Sequence, residues 1–448
     1  MNLVFLFSVM LKGLGAVLEI LLQIVITGHL GVSGYGTYSA WINFADLLFW
    51  VFFSGLVKCN TFYLSGRKNS IRSFKGKYYM RYALPVILAA LPICVFLSEN
   101  SLLCVVPVIT MLELLVMDRS STLLTRGKSG TSLIGEYVLG RLTLVLGVVI
   151  LGKTGLLELR SLLVLYVLQY ALVLGFFLLR QGRNEKFADI SREVSLRKWG
   201  AYQGSDLMHA MIEQMPVVMQ FYFSGAFSAG VVSVVLLVKK LIGFISGPTA
   251  KIFLPEFSRL YKAGDQKKIR QVYGSIMRMQ MLIVGPMAVV LLGFPRVVLR
   301  ILAKELVAYD WLFMACSVIF LLVATLGPCG GILQMTGNEK TDNRIRCGAL
   351  VLMATVMLLT SGNSYFVLWG LCVEVAAEAV GKYLYICRWM KRAPASLAAY
   401  LGWWVVPALA VGLAHVLKAG DSFFMMLLLA GLVFAASGWR ELKEARKK

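Results

Sequence analysis

The stretch Ser8–Trp50, SVMLKGLGAVLEILLQIVITGHLGVSGYGTYSAWINFADLLFW, lies without a gap over Tyr202–Phe244, YQGSDLMHAMIEQMPVVMQFYFSGAFSAGVVSVVLLVKKLIGF, at an offset of 194 residues. At that offset Lys12 falls on Asp206, Glu19 on Glu213 and Asp46 on Lys240. Gly31, Gly36 and Ser39 fall on Gly225, Gly230 and Ser233. Random placement would superpose the three charges of the first window on charges of the second on the order of 3 times in 10,000, so the match reads as an internal repeat. Each charge sits inside an apolar run long enough to cross a bilayer. Two matched halves with ionisable groups at mid-depth are the organisation of a transporter whose site lies at the repeat interface. The competing reading is an old duplication whose charges have become static ion pairs.

Composition points the same way. The 448 residues are 58% hydrophobic and 15% charged, with mean hydropathy +0.76, against roughly 25% charged residues in soluble domains. The net charge of +22 does not indicate a nucleic-acid partner, because Lys and Arg cluster in the gaps between apolar blocks and not along one soluble face. The eight cysteines mostly lie within apolar stretches and none has zinc-ligand spacing, so they read as small packing residues. No metal site and no cofactor is expected. Met1–Glu19 lacks a basic leader and a small-residue cleavage site, and reads as the first span and not as a signal peptide.

The apolar blocks predict an all-α polytopic membrane protein of about fourteen transmembrane helices. They fall near 3–28, 35–63, 78–98, 102–123, 131–151, 161–180, 201–224, 229–254, 271–293, 310–335, 345–361, 364–387, 397–417 and 421–438. The connecting loops alternate. One set is basic, as at Arg67–Lys77, Arg180–Lys198, Arg259–Arg270 and Arg440–Lys448; the other is nearly bare, as at His29–Gly34 and Ser361–Asn363. Basic loops face the cytoplasm, which puts both termini inside. The expected domains are an N-terminal six-helix bundle at 1–180 and a basic cytoplasmic linker at 181–200. A second six-helix bundle follows at 201–390, in pseudo-twofold relation to the first, and 391–448 forms a C-terminal helix pair with a basic tail. The short loops leave no room for a soluble catalytic domain.

Within the spans, polar residues form stripes. Lys12, Gly15, Glu19 and Gln23 share one face of the first helix, and Asp206, His209, Glu213 and Gln220 share one face of the seventh. Asp46 lies mid-depth on the second helix with Asn43 one turn away, and Lys239 and Lys240 lie mid-depth on the eighth. Adjacent lysines point about 100° apart, and the repeat register favours Lys240. Seven charges at about 2.5 kcal/mol each would cost roughly 17 kcal/mol in lipid, so they are expected to face one another or a hydrated cavity. The simplest arrangement sets helices 1, 2, 7 and 8 around a central cavity. Glu374, Glu378 and Lys382 form a further stripe on the twelfth helix, where the order of Glu378 and Lys382 suits an intrahelical bridge. Arg141, Lys58 and Arg278 either line the cavity or snorkel.

Four motifs then resemble a known family. His29-Leu30-Gly31-Val32-Ser33-Gly34-Tyr35-Gly36-Thr37-Tyr38 is similar to the glycine-tyrosine loop between the first two helices of polysaccharide and O-antigen flippases. These belong to the multidrug/oligosaccharidyl-lipid/polysaccharide (MOP) exporter superfamily. Pro255-Glu256-Phe257-Ser258-Arg259-Leu260 with Gly264-Asp265 resembles that family's loop after helix 8. Pro286 and Gln334-Met335-Thr336-Gly337-Asn338-Glu339-Lys340 also fit, and the last two helices suit its fourteen-helix members. The resemblance covers most of residues 3–390. It implies a flippase that moves polyprenyl-diphosphate-linked oligosaccharide, the repeat unit of an O-antigen, capsule or exopolysaccharide, across the bacterial inner membrane by alternating access. On that reading Lys12, Lys239, Lys240 and Asn43 line the substrate cavity, with the lysines receiving the diphosphate. Glu19, Asp46, Asp206 and Glu213 are coupling or cavity carboxylates. The implied partners are the lipid-linked glycan, membrane lipid, a coupling proton or sodium ion, and other polysaccharide-assembly proteins.

The chain departs from the family at Gly28-His29, where an Arg is often found. Three cations against four carboxylates in the inferred cavity suit proton or cation coupling. One alternative is a proton- or sodium-coupled multidrug exporter of the same superfamily, a class that usually has twelve helices. Another is a membrane polysaccharide polymerase or ligase, a class that acts through a large external loop; the longest outward loop here is about 294–309. No nucleophile–base set, metal cluster or phosphate-cradling loop stands out, so no enzyme is expected.

Overall fold

The computed structural model describes residues 3–64, 69–96, 104–180, 188–191, 194, 196–391, 393–394, 397–416 and 423–445. Among the described residues the chain is all-α apart from one minimal strand pair, and the predicted spans are helical with breaks, among them Phe53 in the span expected at 35–63 and 326–328 in the span expected at 310–335. The helices are α1 (Leu3–Phe52), α2 (Ser54–Leu64), α3 (Arg72–Tyr78), α4 (Leu84–Phe96), α5 (Val105–Thr125), α6 (Ser129–Leu133), α7 (Gly140–Lys153), α8 (Leu159–Arg180), α9 (Leu196–Glu213) and α10 (Met215–Lys262). They continue with α11 (Gln266–Ala288), α12 (Pro295–Leu302), α13 (Asp310–Thr325), α14 (Cys329–Met335), α15 (Glu339–Leu359), α16 (Phe366–Trp389), α17 (Leu397–Val416) and α18 (Phe423–Ala445). Single π-helical turns join α3 to α4, α6 to α7 and extend α11. Two compact units divide the chain, Met1–Gly230 and Val231–Lys448.

In the first unit, α1 is two spans joined at one residue. Gly31 has φ 68° and ψ 178° inside an otherwise continuous helix. Its repeat equivalent, Gly225, interrupts α10 in the same way, with φ 84° and ψ 176°. A left-handed residue costs a side chain about 1–2 kcal/mol, so glycine is required where a turn must be completed without a loop. The loops expected at 29–34 and 225–228 therefore shrink to single-residue breaks.

Five residues beyond each break stands a second glycine. A methyl on Gly36 would overlap the Ala226 carbonyl oxygen and meet the Gly230 nitrogen at 2.6 Å; one on Gly230 would overlap the Val32 carbonyl and meet its Cγ1 at 2.7 Å. Val32 and Ala226 are themselves repeat equivalents. Gly36 packs on Ala226 and Gly230 on Val32, an exchange that maps onto itself under the 194-residue shift. That is the local signature of a twofold axis, and small residues are what allow two backbones to approach so closely in lipid.

Other breaks are repaired by side chains. Phe53 separates α1 from α2 and leaves carbonyls without helical partners. Gln203 of α9 fills the gap: its Nε2 donates to the Trp50 and Val51 carbonyls at 2.6 and 2.7 Å, and its Oε1 accepts from the Gly55 N–H at 2.9 Å. The helix carrying Gln203 begins at Leu196, inside the stretch expected to be linker, because Trp199 packs edge-on against Tyr78 and Tyr82. The strands β1 (Asn69–Ser70) and β2 (Ala188–Asp189) pair in parallel and tie the α2–α3 loop to the linker. The Asp189 carboxylate accepts from the hydroxyls and backbone N–H groups of Ser191 and Ser73, which hold it down to about 2.

In the second unit, α17 and α18 pack on α11 and its π-helical extension through Val289, Phe294, Val297, Ala414, Met426, Leu429 and Val433. Outward residues such as Leu358, Leu359 and Val416, like Phe223 in the first unit, are more than 70% exposed. In water such surface would aggregate; it is the surface a lipid solvent requires.

The crossing predicts that Gly36→Ala lowers the thermal stability of detergent-purified protein by about 1–3 kcal/mol, as overpacking does. Gly28→Ala, with open space around the new methyl, should leave the melting temperature unchanged or raised. Equal melting curves for Gly36→Ala and the parent chain would show that the contact does not hold the helices.

Candidate functional site

The first unit gathers ionisable side chains from four helices. Glu19 of α1 meets Arg141 of α7 at 3.4 Å, both partly buried. Asp46, in the second half of α1, feels the charge of Glu113 of α5, which is 3% exposed. A tyrosine ladder lies between them. Tyr35 and Tyr38 sit 6.3 Å apart, Tyr38 meets Tyr166 edge-on at 6.0 Å, and Tyr166 meets Tyr170 at 5.4 Å. Tyr166 interacts electrostatically with all four charges, Asp46, Arg141, Glu113 and Glu19. Gln23 and Gln169 are buried beside them on α1 and α8; among the described residues the Gln23 side-chain amide has no hydrogen-bond partner. Asn43 is buried, and its Nδ2 donates to the Ser39 carbonyl at 2.7 Å and to Ser39 Oγ at 3.2 Å.

The expected residues are thus distributed as follows. Glu19, Asp46 and Asn43 lie on the helix α1 of the first unit. Glu213, partly buried, ends α9 in the same unit. Lys239 is partly buried and Lys240 exposed, both on the part of α10 that belongs to the second unit. Lys12, Asp206 and His209 lie outside the described side chains. Glu113, Tyr38, Tyr166 and Tyr170 join the centre without having been singled out. Glu113 carried the same signal as Asp46, a lone acid inside an apolar run.

Two further networks are structural in character. At the basic-loop end of the first unit, Lys75 meets Asp118 at 2.6 Å, and Asn60 donates to Asp118 Oδ1 and Ser121 Oγ, each at 2.8 Å. In the second unit, Lys382 of α16 bridges Glu378 and, at 2.6 Å, Asp342 of α15. Arg346 meets Glu378 at 3.2 Å, and Gln334 of α14 donates to Asp342 at 2.9 Å. A methyl on Gly330 would crowd the Lys382 Nζ at 3.2 Å and Asp342 at 3.3 Å, so glycine leaves space for this pair. Glu374, fully buried, continues the stripe one turn along. The expected Glu378–Lys382 bridge is present, but it is one edge of an interhelical network. Among the described residues no group of three His, Cys, Asp or Glu side chains is placed to hold a metal ion.

Removing one partner of a buried pair leaves a charge uncompensated, at about 3–5 kcal/mol. Lys382→Met should therefore lower stability by that amount, and Asp342→Asn with Glu378→Gln in the same background should restore much of it. A triple variant no more stable than Lys382→Met would exclude charge compensation as the cause.

No protein-family model and no curated protein matches the chain. Solved structures do match. A lipid II flippase, MurJ, in an inward closed conformation superposes with TM-score 0.70 at 15% identity, over 98% of this chain and 99% of that one. An inward-facing multidrug resistance MATE family transporter of the MOP superfamily superposes with TM-score 0.69 at 12% identity, over 84% and 94%. A MOP superfamily transporter from Pyrococcus furiosus gives TM-score 0.58 at 12% identity, over 86% and 94%. The chain therefore has the fold of MOP superfamily transporters, in keeping with its glycine-tyrosine motifs and apolar helices.

Proposed function

We propose that this chain is a flippase for polyprenyl-diphosphate-linked oligosaccharide, acting by alternating access in a bacterial inner membrane with both termini cytoplasmic. The observation that carries the reading is extent. The superposition on the lipid II flippase runs over 98% of the chain, whereas those on the multidrug resistance MATE transporters cover 84–86%. The remainder is about the size of the segment 391–448, which holds α17 and α18. A lipid-linked substrate gives a reason for an added helix pair, since a long polyprenyl tail needs an apolar path of its own.

The domain organisation expected from the sequence, with bundles at 1–180 and 201–390, is retained in this proposal. On this reading Lys240, Lys239, Lys12 and Asn43 contact the substrate, the lysines through charge-assisted hydrogen bonds to its diphosphate. The acidic centre of the first unit supplies coupling. Glu19, which pairs with Arg141, and the neighbouring acids Asp46 and Glu113 bring three carboxyl groups into the first unit. Like charges gathered in a low dielectric favour the protonated or cation-bound form, so such a centre suits uptake of a proton or a small cation. Asp206 and Glu213 are the corresponding carboxylates of the seventh helix.

Lys240→Ala should remove a charge-assisted contact and slow transport about 10–100-fold. The measurement is surface polysaccharide in the native host, with membrane levels of the protein unchanged. Retained polysaccharide takes the lysine out of the mechanism. A deletion strain sensitive to cationic dyes with intact polysaccharide would overturn the flippase reading in favour of multidrug export.

Asp46→Asn with Glu113→Gln should leave substrate bound and abolish the dependence of transport on an imposed proton or sodium gradient. Unchanged gradient dependence in vesicles would assign coupling elsewhere.

A further inference from the structure

A cleft of about 700 Å³ opens on the basic-loop side of the first unit, between the start of the third span and the linker. Its walls are preorganised. The β1–β2 pair fixes one end, and the Asp189 carboxylate is held by Ser73 and Ser191. Phe74 N–H donates to Ser191 Oγ at 2.9 Å, and Trp199 is wedged against Tyr82 with ring centroids 5.1 Å apart. All these residues belong to one unit.

The lining follows helical periodicity. Ser73, Lys77 and Arg81 recur at four-residue spacing, and so do Phe74, Tyr78 and Tyr82. A basic row and an aromatic row thus run side by side along one helical stretch. Lys77 and Arg81 are exposed. Neither makes a salt bridge or hydrogen bond among the described residues, in contrast to Lys75 two positions away, which is consumed by Asp118 at 2.6 Å. The acceptor capacity of Asp189 is already committed to four donors. Lys77 and Arg81 therefore stand without a salt bridge among the described residues, in a concave, aromatic-lined space that also holds the serine-bound Asp189 carboxylate. Arg81 lies three residues before Leu84, where the apolar helix α4 begins, so the cleft is at head-group depth.

We propose that this cleft binds a phosphate ester at the membrane surface, with Lys77 and Arg81 on the phosphate and Tyr82 and Trp199 against the body that carries it. Cations without partners at head-group level attract phosphate. Aromatic faces offer contact area to a sugar or glycerol moiety, and the volume exceeds what phosphate alone would fill. Such an ester has two sources, the head group of an anionic lipid or a soluble sugar phosphate. The site shares no residue with those assigned to transport and does not depend on that assignment.

The test uses the full chain in nanodiscs. The probe is quenching of tryptophan fluorescence by brominated phosphatidylglycerol in a phosphatidylcholine background, with Trp199→Phe isolating the Trp199 contribution. Phosphatidylglycerol should quench Trp199, and Lys77→Gln with Arg81→Gln should raise the lipid concentration needed at least tenfold at unchanged melting temperature. Lys77→Arg with Arg81→Lys should retain binding. Glucose 1-phosphate added to phosphatidylcholine nanodiscs separates the sources. If it protects Trp199 from acrylamide with the same dependence on the two cations, the ester is soluble; if only the lipid acts, it is a head group. Either result supports the site. Quenching and protection indifferent to the double Gln variant would overturn it, whatever the polysaccharide phenotype of the strain.

Discussion

An ionised side chain inside hydrocarbon needs a partner, and that constraint decides which helices of this protein are neighbours. Glu19 meets Arg141 between α1 and α7, and Lys382 meets Asp342 between α16 and α15. Each pair fixes both the choice of partner helix and its rotation. Apolar helices in lipid gain nothing from hydrophobic association, because lipid tails are as apolar as leucine. Packing and polar contacts must then supply the specificity. Such a bridge adds little net stability against an apolar pair, yet breaking it is expensive; its value lies in excluding other arrangements.

Backbone devices and side-chain chemistry have diverged at different rates between the two halves. Gly31 and Gly225 share a left-handed conformation, and Gly36 and Gly230 share a crossing that tolerates no side chain. At these positions geometry leaves glycine alone acceptable. At Asp46 and Lys240 the backbone place is equivalent, but the charge has changed sign. Nothing in helix geometry prescribes the sign there, so the chemistry of the site was free to become asymmetric on a symmetric frame.

Much of this was legible in the chain. The spans could be placed because hydrocarbon thickness sets helix length, and the repeat because glycines and charges return at one offset. The single-residue turns at Gly31 and Gly225 were harder to see, since a short polar loop and a glycine break leave similar sequence. The partners of the embedded charges were hardest. Glu378 and Lys382 are four apart on one helix and could be paired by inspection. Asp342 and Arg346 reach them from the preceding helix, and no local pattern reports an interhelical distance. Glu113 stands alone in an apolar run, and nothing in its spacing reports that the fold brings it to Asp46. Gln203, which caps the break at Phe53, shows the same limit: a glutamine near a helix start carries no mark of carbonyls 150 residues away.

The basic run Arg72–Arg81 shows why charge counts alone cannot assign function. Residues 75 and 77 point about 200° apart on a helix. One lysine is therefore turned inward to Asp118, with Thr122 Oγ1 also in reach at 3.1 Å, and the other is turned out beside Arg81. The inward lysine has its counter-ion, and its removal would be felt as lost stability. The outward pair has none among the described residues, so its charge is available to whatever approaches. Periodicity thus divides one basic segment into a structural half and a receptive half, and only the pairing of each cation tells which is which.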